Sequence, residues 1–515
     1  MPVKTFAAID VGSFELSMKI FEFSGRNAMR EIDQIRRKLD FGSETYAKGK
    51  IGNEKLDELC RVLKEFSGIM KAYKVEAYQA YGTSAIREAQ NKVILMDQIR
   101  IRTGIRMEVL SNSEQRFLGY KSVASKGEVF RKIIEEKTAI VDIGGGSIQL
   151  SLFDNDTLVS TQNLRLGVLR IQERLNRLNA KSAQMESLID EMVSLSLVAY
   201  QKLYLKEREI RNLIIVDDYI SLAAVRRAGK DAAKTMASAQ EWEQFMELMR
   251  TKSFGEIAKE MDLAQEKVIL LFISGVLMRR LILLTGAQYV WVPGVTLCDG
   301  IAYDYGEKKK LLRGEHNFEK DIIACAMNIS KRYLGSRKQA EVLENITMTI
   351  FDGTKKMHGL GKRERLYLQI AALLQDCGKY ISLVNEGEDA YNIIMATEII
   401  GLSHRERELV ANTVRYHFEA FAYDTRIGNS GYSLDQESYL LVAKLTALLR
   451  LANCFYRSRR QKFKQISAVL RDGQLFLTVE TMEDITLEKG LFEERAEFFR
   501  EVFSVQPVLK QKKKL

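Results

Sequence analysis

The sequence predicts an α/β chain with two similar sheet-bearing domains, then an all-α domain and a small α+β segment. Three observations predict it. A unit of strand, aspartate, glycine turn and return strand occurs twice, at Asp10 and at Asp142, which marks a repeated supersecondary unit. Short apolar runs alternate with helical periods through the first three hundred residues. After residue 310 the strand signals stop and helical periods remain. The boundaries fall at 1–125, 126–305, 310–465 and 466–515, the last segment carrying a basic tail.

The elements follow in order. TFAAI (5–9) is an apolar strand ending in Asp10, VGSFE is a glycine turn, and LSMKIFEF (16–23) alternates as a return strand. Leu56, Leu59, Val62, Leu63 and Phe66 repeat at helical spacing across 54–73. VEAYQAYGT (75–83) is a strand leading into a helical segment from Ser84. MEVLS (107–111) is another strand, with a helix from Ser113. TAIVD (138–142), IGGGS (143–147) and IQLSLF (148–153) repeat the hairpin, and TLVSTQNLRLG extends the meander. Residues 181–211 are helical, and LIIVDD (213–218) and QYVWVPG (288–294) are the remaining strands of this half. Helical periods run through 320–350, 362–380, 389–400, 403–420 and 435–460. LFLTVE then resumes a strand, followed by a helix and a tail ending QKKKL that is expected to fray.

Composition narrows the class. Of 515 residues, 46% are hydrophobic and 28% charged, which excludes a disordered chain. Three prolines among 33 glycines exclude collagen-like and Pro-rich repeats. The five cysteines (Cys60, Cys298, Cys325, Cys377, Cys454) form no CxxC pair, so a zinc ribbon or thioredoxin motif is excluded. Their odd count suits reduced thiols, and the N-terminus has no signal-like pattern, so the expectation is a cytoplasmic protein. The longest apolar run, Val268 to Met278, is short for a bilayer span and is followed by Arg279 and Arg280. It reads as a buried helix, with no membrane partner. The net charge of +10 suits an anionic partner, whether polyphosphate, nucleotide, nucleic acid or a membrane surface, with general solubility as the alternative.

The two aspartate–glycine turns carry the chemistry. Glycine lets backbone N–H groups approach phosphate oxygens without Cβ interference. An aspartate repels phosphate directly, but it holds Mg²⁺ or the ion's water shell, which bridges to phosphate. Asp10 and Asp142 are the candidate ligands of that divalent cation. A plain tight turn is the alternative for either unit alone, although three successive glycines weaken a hairpin that has no use for the space.

Five ordered blocks carry a resemblance: AAIDVGS (7–13), YGTSAIREAQN (81–91), EVLSNSEQRFLGY (108–120), AIVDIGGGSIQLSLF (139–153) and LRLGVLRI (164–171). The paired loops resemble the phosphate loops of the actin-like (ASKHA, ribonuclease H-like) superfamily. More narrowly, residues 1–305 resemble the exopolyphosphatase/guanosine pentaphosphate phosphohydrolase (Ppx/GppA) family. The resemblance continues more weakly into the helical part, which looks like the family's HD-like module. It implies two actin-like domains with a cleft between them, Asp10 and Asp142 facing each other across it. It also implies a phosphoanhydride hydrolase releasing terminal phosphate from polyphosphate or guanosine pentaphosphate with Mg²⁺. Thr83, Ser84 and Arg87 would line the phosphate groove, Arg87 clamping a phosphate bidentately. Gly12 and the amides of Gly144, Gly145 and Gly146 would hold the terminal phosphoryl group, with Ser13 and Ser147 adding hydroxyl donors.

Several motifs depart from the family. Its usual block is close to SGxEEAR, whose second Glu activates water; here Ser111-Asn112-Ser113-Glu114-Gln115-Arg116 stands. The ungapped alignment puts Gln115 at the catalytic position and also matches Leu118 and Tyr120. A one-residue gap would put Glu114 there and bring Arg116 onto the family arginine. An amide orients a water but cannot take its proton. Phe14 and Glu15 replace the polar pair of the first loop, and Ile148 and Gln149 that of the second. Asp217 and Asp218 stand where glycine amides are usual, and Thr296–Gly300 lacks the arginine of the later GLREG motif. In the HD-like part, Gln339, Gln375 and Asn453 replace metal ligands while Asp376 and His417 remain. No metal is expected there, and His316, His358 and His404 read as surface or satisfied histidines.

Two readings of different class follow: a hydrolase weakened by Gln115, or a catalytically impaired protein that binds polyphosphate or a nucleotide and regulates something else. A third, an actin-like ATPase, lacks the adenosine-pocket glycines. The basic stretch 457–464 leaves nucleic acid open as a partner, with a solvated helix end as the alternative. A homodimer is also left open.

Overall fold

The structure is a computed structural model and describes residues 3–25, 28–228, 236–314, 316–423, 434–456, 462–463 and 465–513. The chain forms two compact units, 1–321 and 322–515.

The first unit contains two sheets of the same plan. In the first, β1 (Lys4–Val11), β2 (Glu15–Ser24) and β3 (Ala28–Lys38) form an antiparallel meander. β4 (Ala77–Gly82) joins β1 in parallel, and the short β5 (Glu108–Val109) joins β4. The strand order is β3-β2-β1-β4-β5. The second sheet repeats it with β6 (Thr138–Ile143), β7 (Ile148–Asp154), β8 (Thr157–Leu164), β9 (Asn212–Val216), β10 (Met236–Ser238) and β11 (Tyr289–Trp291), in the order β10-β11-β9-β6-β7-β8. The repeat holds to the residue. Asp10 pairs with Ser17 one step before the end of β1, and Asp142 pairs with Gln149 one step before the end of β6. Both aspartates therefore leave their sheets at the same corner.

Buried aliphatic stripes explain the sheets. Ala7, Ile9 and Val11 face one core together with Leu59, Leu63 and Phe66 of the helix Asn53–Ala72. Val141, Ile143, Leu213 and Ile215 face a second core with the helix Gln265–Thr285. That helix is long and apolar enough to cross a membrane, so length does not exclude a span as the apolar run suggested. Yet 67% of its most apolar window is buried inside the protein, and it serves as the central helix of the second core. The chain then returns to the first sheet. Cys298, Ile301 and Ala302 of the helix Leu297–Lys308 pack with Phe6, Ala8, Phe21 and Leu118. Gly300 allows that approach, because a Cβ there would lie 1.9 Å from the Leu118 carbonyl oxygen.

The second unit has helices Arg337–Gly353, Lys362–Leu374, Glu386–Ala396, His404–Phe418 and Gln436–Asn453. They are followed by β12 (Gln465–Arg471), β13 (Gln474–Glu480), the helix Thr486–Phe503 and β14 (Gln506–Lys512). Of the tail expected to fray (511–515), Gln511 and Lys512 are held in a strand. Residues 506–512 run parallel to β13, Gln474 pairing with Gln506 and Glu480 with Lys512, and Lys512 also reaches Glu480 at 3.0 Å. Residues 514–515 and most of the basic stretch (457–461 and 464) lie outside the described residues.

Candidate functional site

The site forms where the two repeated hairpins meet. Gly12–Phe14 links β1 to β2, and Gly144–Ser147 links β6 to β7. In the second turn the Gly144 amide donates to the Ser147 carbonyl at 2.9 Å. The other carbonyls face the helix Val168–Arg177: Gly144 O accepts from Val168 N and Gly145 O from Leu169 N, each at 3.0 Å. Arg170 Nε donates to Gly146 O at 3.1 Å. The amides of Gly145, Gly146 and Ser147 have no protein acceptor among the described residues. Three such amides in one turn make an anion-binding concavity.

The first sheet supplies hydroxyls. β4 lies beside β1, so Thr83 follows Gly82 directly into the corner, its amide donating to Val11 O at 3.2 Å. Ser13, Ser84 and Tyr46 then share one cluster. Ser13 Oγ lies 2.9 Å from the Tyr46 hydroxyl and 3.0 Å from Ser84 Oγ. The two hairpins touch here, since a Cβ on Gly145 would lie 3.1 Å from Ser13 Cβ; one on Gly146 would lie 2.4 Å from the hydroxyl of Tyr46, on the helix Gly42–Lys48.

Beside this contact is a cavity of about 130 Å³. Asp10, Gly12, Ser13, Thr83 and Ser84 line it from the first half, and Asp142, Gly144, Gly145 and Ser147 from the second. Asp10 and Asp142 thus share one cavity while belonging to different sheets. Gly146 and Arg87 are not on its wall. Arg87 Nη1 instead donates to Gln115 Oε1 at 3.0 Å and to Leu110 O at 2.8 Å. Gln115 is on the wall and Glu114 is not. Glu114 is the third residue of the helix Asn112–Ala124, where its carboxylate accepts from the Ser111 amide at 2.9 Å, and Ser111 Oγ accepts from the Glu114 amide. This capping box commits the Glu114 carboxylate to the helix start.

The titratable side chains lining the cavity are mostly acidic. Burial pushes Asp10 up to about 8, with Asp218 and Asp142 adding to the shift. Burial also pushes Asp142 up to about 7, with Asp218 adding to it and Arg116 opposing. Asp10 Oδ1 is buried and has no hydrogen-bond partner among the described residues. Asp217 and Asp218 lie on the wall too. The strand expected over 213–218 stops at Val216, because Asp217 caps the next helix, accepting from Ile220 N at 2.5 Å and from Ser274 Oγ at 2.8 Å. Burial pushes Asp217 up to about 7.

Sequence reasoning missed four residues. Tyr46 lies in no quoted block and is found only by folding. Arg170 lies inside LRLGVLRI, where the spacing assigns it no role; its guanidinium sits 4.4 Å above the Tyr46 ring and reaches both carboxylate oxygens of Glu88 at 2.9 and 2.7 Å. Arg36 and Lys267 line the cavity from elements far apart in sequence.

The second unit brings Gln375, Asp376 and Asn453 to one small cavity, but not Gln339. His417 Nε2 lies 2.9 Å from Asn453 Nδ2, and the Lys379 ammonium binds Asp376. His358 is buried and satisfied by Phe351 O and the Leu360 amide. His316 is satisfied as well: its Nε2 lies 2.6 Å from the Tyr120 hydroxyl and 2.5 Å from Asp321.

A family model described as the Ppx/GppA phosphatase family matches residues 20–280, and one described as Ppx/GppA phosphatase, domain III, matches 323–494. The guanosine-5'-triphosphate,3'-diphosphate pyrophosphatase of Photobacterium profundum is 21% identical over 502 residues, covering 92% of this chain and 91% of that one. Exopolyphosphatase 1 of Mycobacterium leprae is 27% identical over 148 residues, which are 28% of this chain and 41% of its own. Two solved structures share the fold at 18% identity. The Ppx/GppA family member of Aquifex aeolicus has a TM-score of 0.50 over 60% of this chain and 99% of its own. An exopolyphosphatase from Cytophaga hutchinsonii has a TM-score of 0.50 over 60% of this chain and 100% of its own. The two-sheet half shares the fold of these structures.

Proposed function

The chain belongs to the Ppx/GppA phosphatase family, and on that premise we propose that its cleft takes the terminal phosphoryl group of polyphosphate or guanosine pentaphosphate and hydrolyses it slowly. The observation that carries the reading is a convergence on one cavity. The Gly145 and Ser147 amides, without protein acceptors among the described residues, come from one sheet, and the Ser13 and Ser84 hydroxyls come from the other. Donors on two sides fix a phosphoryl group in position and orientation, which is most of what phosphoryl transfer asks of a protein.

Once ionised, Asp10 and Asp142 would repel that group unless a cation lies between. The residues fit a divalent ion: Asp10 Oδ1 is an orphaned buried acceptor, and both carboxyls are held above their usual range. Mg²⁺ asks for only one or two carboxylates, with substrate oxygens and water completing its shell. When bound, the ion would neutralise charge on the transferred group.

The remaining work falls to Gln115. Its Oε1 accepts from Arg87, so its Nε2 is left to hold a water by donation. It cannot remove the water's proton. A general base contributes about 10²–10⁴-fold, so turnover should be slow while phosphate binding persists. The same residue favours the second reading, a phosphate-binding regulator without turnover.

Phosphate release from saturating polyphosphate and guanosine pentaphosphate, with Mg²⁺, tests both. We expect slow release by the wild type, a gain of about tenfold or more for Gln115→Glu with affinity little changed, and little effect of Glu114→Gln. A fast wild type that Gln115→Glu does not improve and Glu114→Gln cripples would move the base to Glu114. Binding without any release, restored by no variant, would leave the regulatory reading standing.

A further inference from the structure

The wall of the cavity away from the glycine loop carries two cations, Arg36 of β3 and Lys267 of the helix Gln265–Thr285. They are the only lysine or arginine on the described wall; its other charged residues are acidic. Both cations reach the Glu15 carboxylate, and Arg36 Nη1 also lies 3.8 Å from Asp218 Oδ1. Lys267 Nζ lies 3.1 Å from Glu15 Oε2, and Arg36 Nη1 lies 3.4 Å from Glu15 Oε1. Glu15 opens β2, directly after the Gly12–Phe14 loop, so the chain delivers its carboxylate to the cavity beside Ser13. The pair is partly shielded, with side-chain exposures of 19% for Glu15 and 30% for each cation.

Two cations that take one oxygen each of a carboxylate will equally take two oxygens of a phosphoryl group. With the amides and hydroxyls committed to a terminal phosphoryl group, the next group along a phosphoanhydride chain needs fixed positive charge, and this wall has it. Lys267 also belongs to the second half of the unit, so the Glu15–Lys267 pair spans the cavity. The neighbouring Lys38–Glu266 pair joins β3 to the same helix.

We propose that Glu15 is an internal competitor: its carboxylate occupies the Arg36–Lys267 subsite for the second phosphoryl group, and a phosphoanhydride chain must displace it to bind. The proposal rests on the phosphate-binding reading of the cleft. It predicts weak discrimination by the wild type between orthophosphate and short polyphosphates, because the second phosphoryl group gains little net attraction while Glu15 competes for the same cations.

Calorimetric titration of the full chain with orthophosphate and with tripolyphosphate, Mg²⁺ present, tests it. Glu15→Gln should bind tripolyphosphate about tenfold tighter, a change of ~1.4 kcal/mol, and orthophosphate less than about threefold tighter. Adding Lys267→Gln should abolish the gain. Glu15→Ser, smaller and without charge, should reproduce it, and melting curves check that each variant folds. If the folded Glu15 variants bind tripolyphosphate no better than the wild type, or gain equally for orthophosphate, the internal competitor is refuted and the phosphate site stands. If neither wild type nor variants bind either ligand, the phosphate reading falls and the competitor with it.

Discussion

Asp10 sits where its charge is costly, and that cost depends on pH. Its carboxyl is held at about 8 in the folded chain against an ordinary value of 3.8, mainly by burial. Between those two pH values the folded state keeps a proton that the unfolded state has lost. Stability from this group is therefore fully present below about pH 4 and declines as pH rises to about 8. Asp142 and Asp217, each held at about 7, act in the same direction. In the absence of divalent cations the melting temperature of the sheet-bearing unit should fall between pH 5 and pH 8.5, by roughly 2–4 °C for each kcal/mol involved. Asp10→Asn removes the charge at nearly constant shape, so it should raise the melting temperature at pH 8 and flatten the decline. Added Mg²⁺ should protect the wild type more than the variant. A wild type whose melting temperature holds level or rises over this interval would show that these carboxyls ionise freely.

The paired hairpins were legible as elements because each has an apolar strand on both sides of a glycine turn. The edge strands were not. β3 reads AMREIDQIRRK and is largely exposed, held by pairing to β2 more than by burial. β12 and β14 are similar, QISAVLR and QPVLKQK, and lack the buried alternation that marks a strand in sequence. The weight of the glycines was also hidden. The sequence draws attention to the run 144–146, yet a Cβ on Gly144 would meet only Ser147 O at 3.4 Å, an ordinary contact. Gly167 stands outside that run, and a Cβ there would lie 2.3 Å from Gly145 O, Gly146 C and Ser147 N. Its φ of −72° suits any residue, so only the contact requires glycine. Gly167→Ala should therefore push the phosphate loop out of place. It should cost about 1–3 kcal/mol of stability and reduce orthophosphate affinity at least tenfold, whereas Gly144→Ala should change each far less. Melting curves and titration of the two variants side by side check this, and equal effects would show that the loop is not braced from beneath.

For the whole molecule, the sum of charges and its local distribution point in opposite directions. The chain carries +10, a field that draws polyanions to its surface. The cavity wall has five acidic side chains (Asp10, Glu15, Asp142, Asp217 and Asp218) against Arg36 and Lys267. The total is read directly from composition, and Asp217 and Asp218 were legible as a departure unfavourable to phosphate. The inversion as a whole was not, because its members come from β1, β2, β3, β6 and the starts of two helices, and only folding gathers them. Capture and chemistry should therefore respond to different variables. Long-chain polyphosphate, held largely by surface lysine and arginine, should lose affinity steeply as salt rises, with modest dependence on Mg²⁺. Tripolyphosphate, confined to the cavity, should depend strongly on Mg²⁺ and weakly on salt, since its contacts are hydrogen bonds and a shielded cation pair. Dissociation constants for both ligands from about 50 to 300 mM NaCl, across which the screening length shrinks by more than half, separate the two dependences. Parallel salt slopes, with Mg²⁺ acting alike on both ligands, would mean that one surface binds them and that the acidic cavity takes no part.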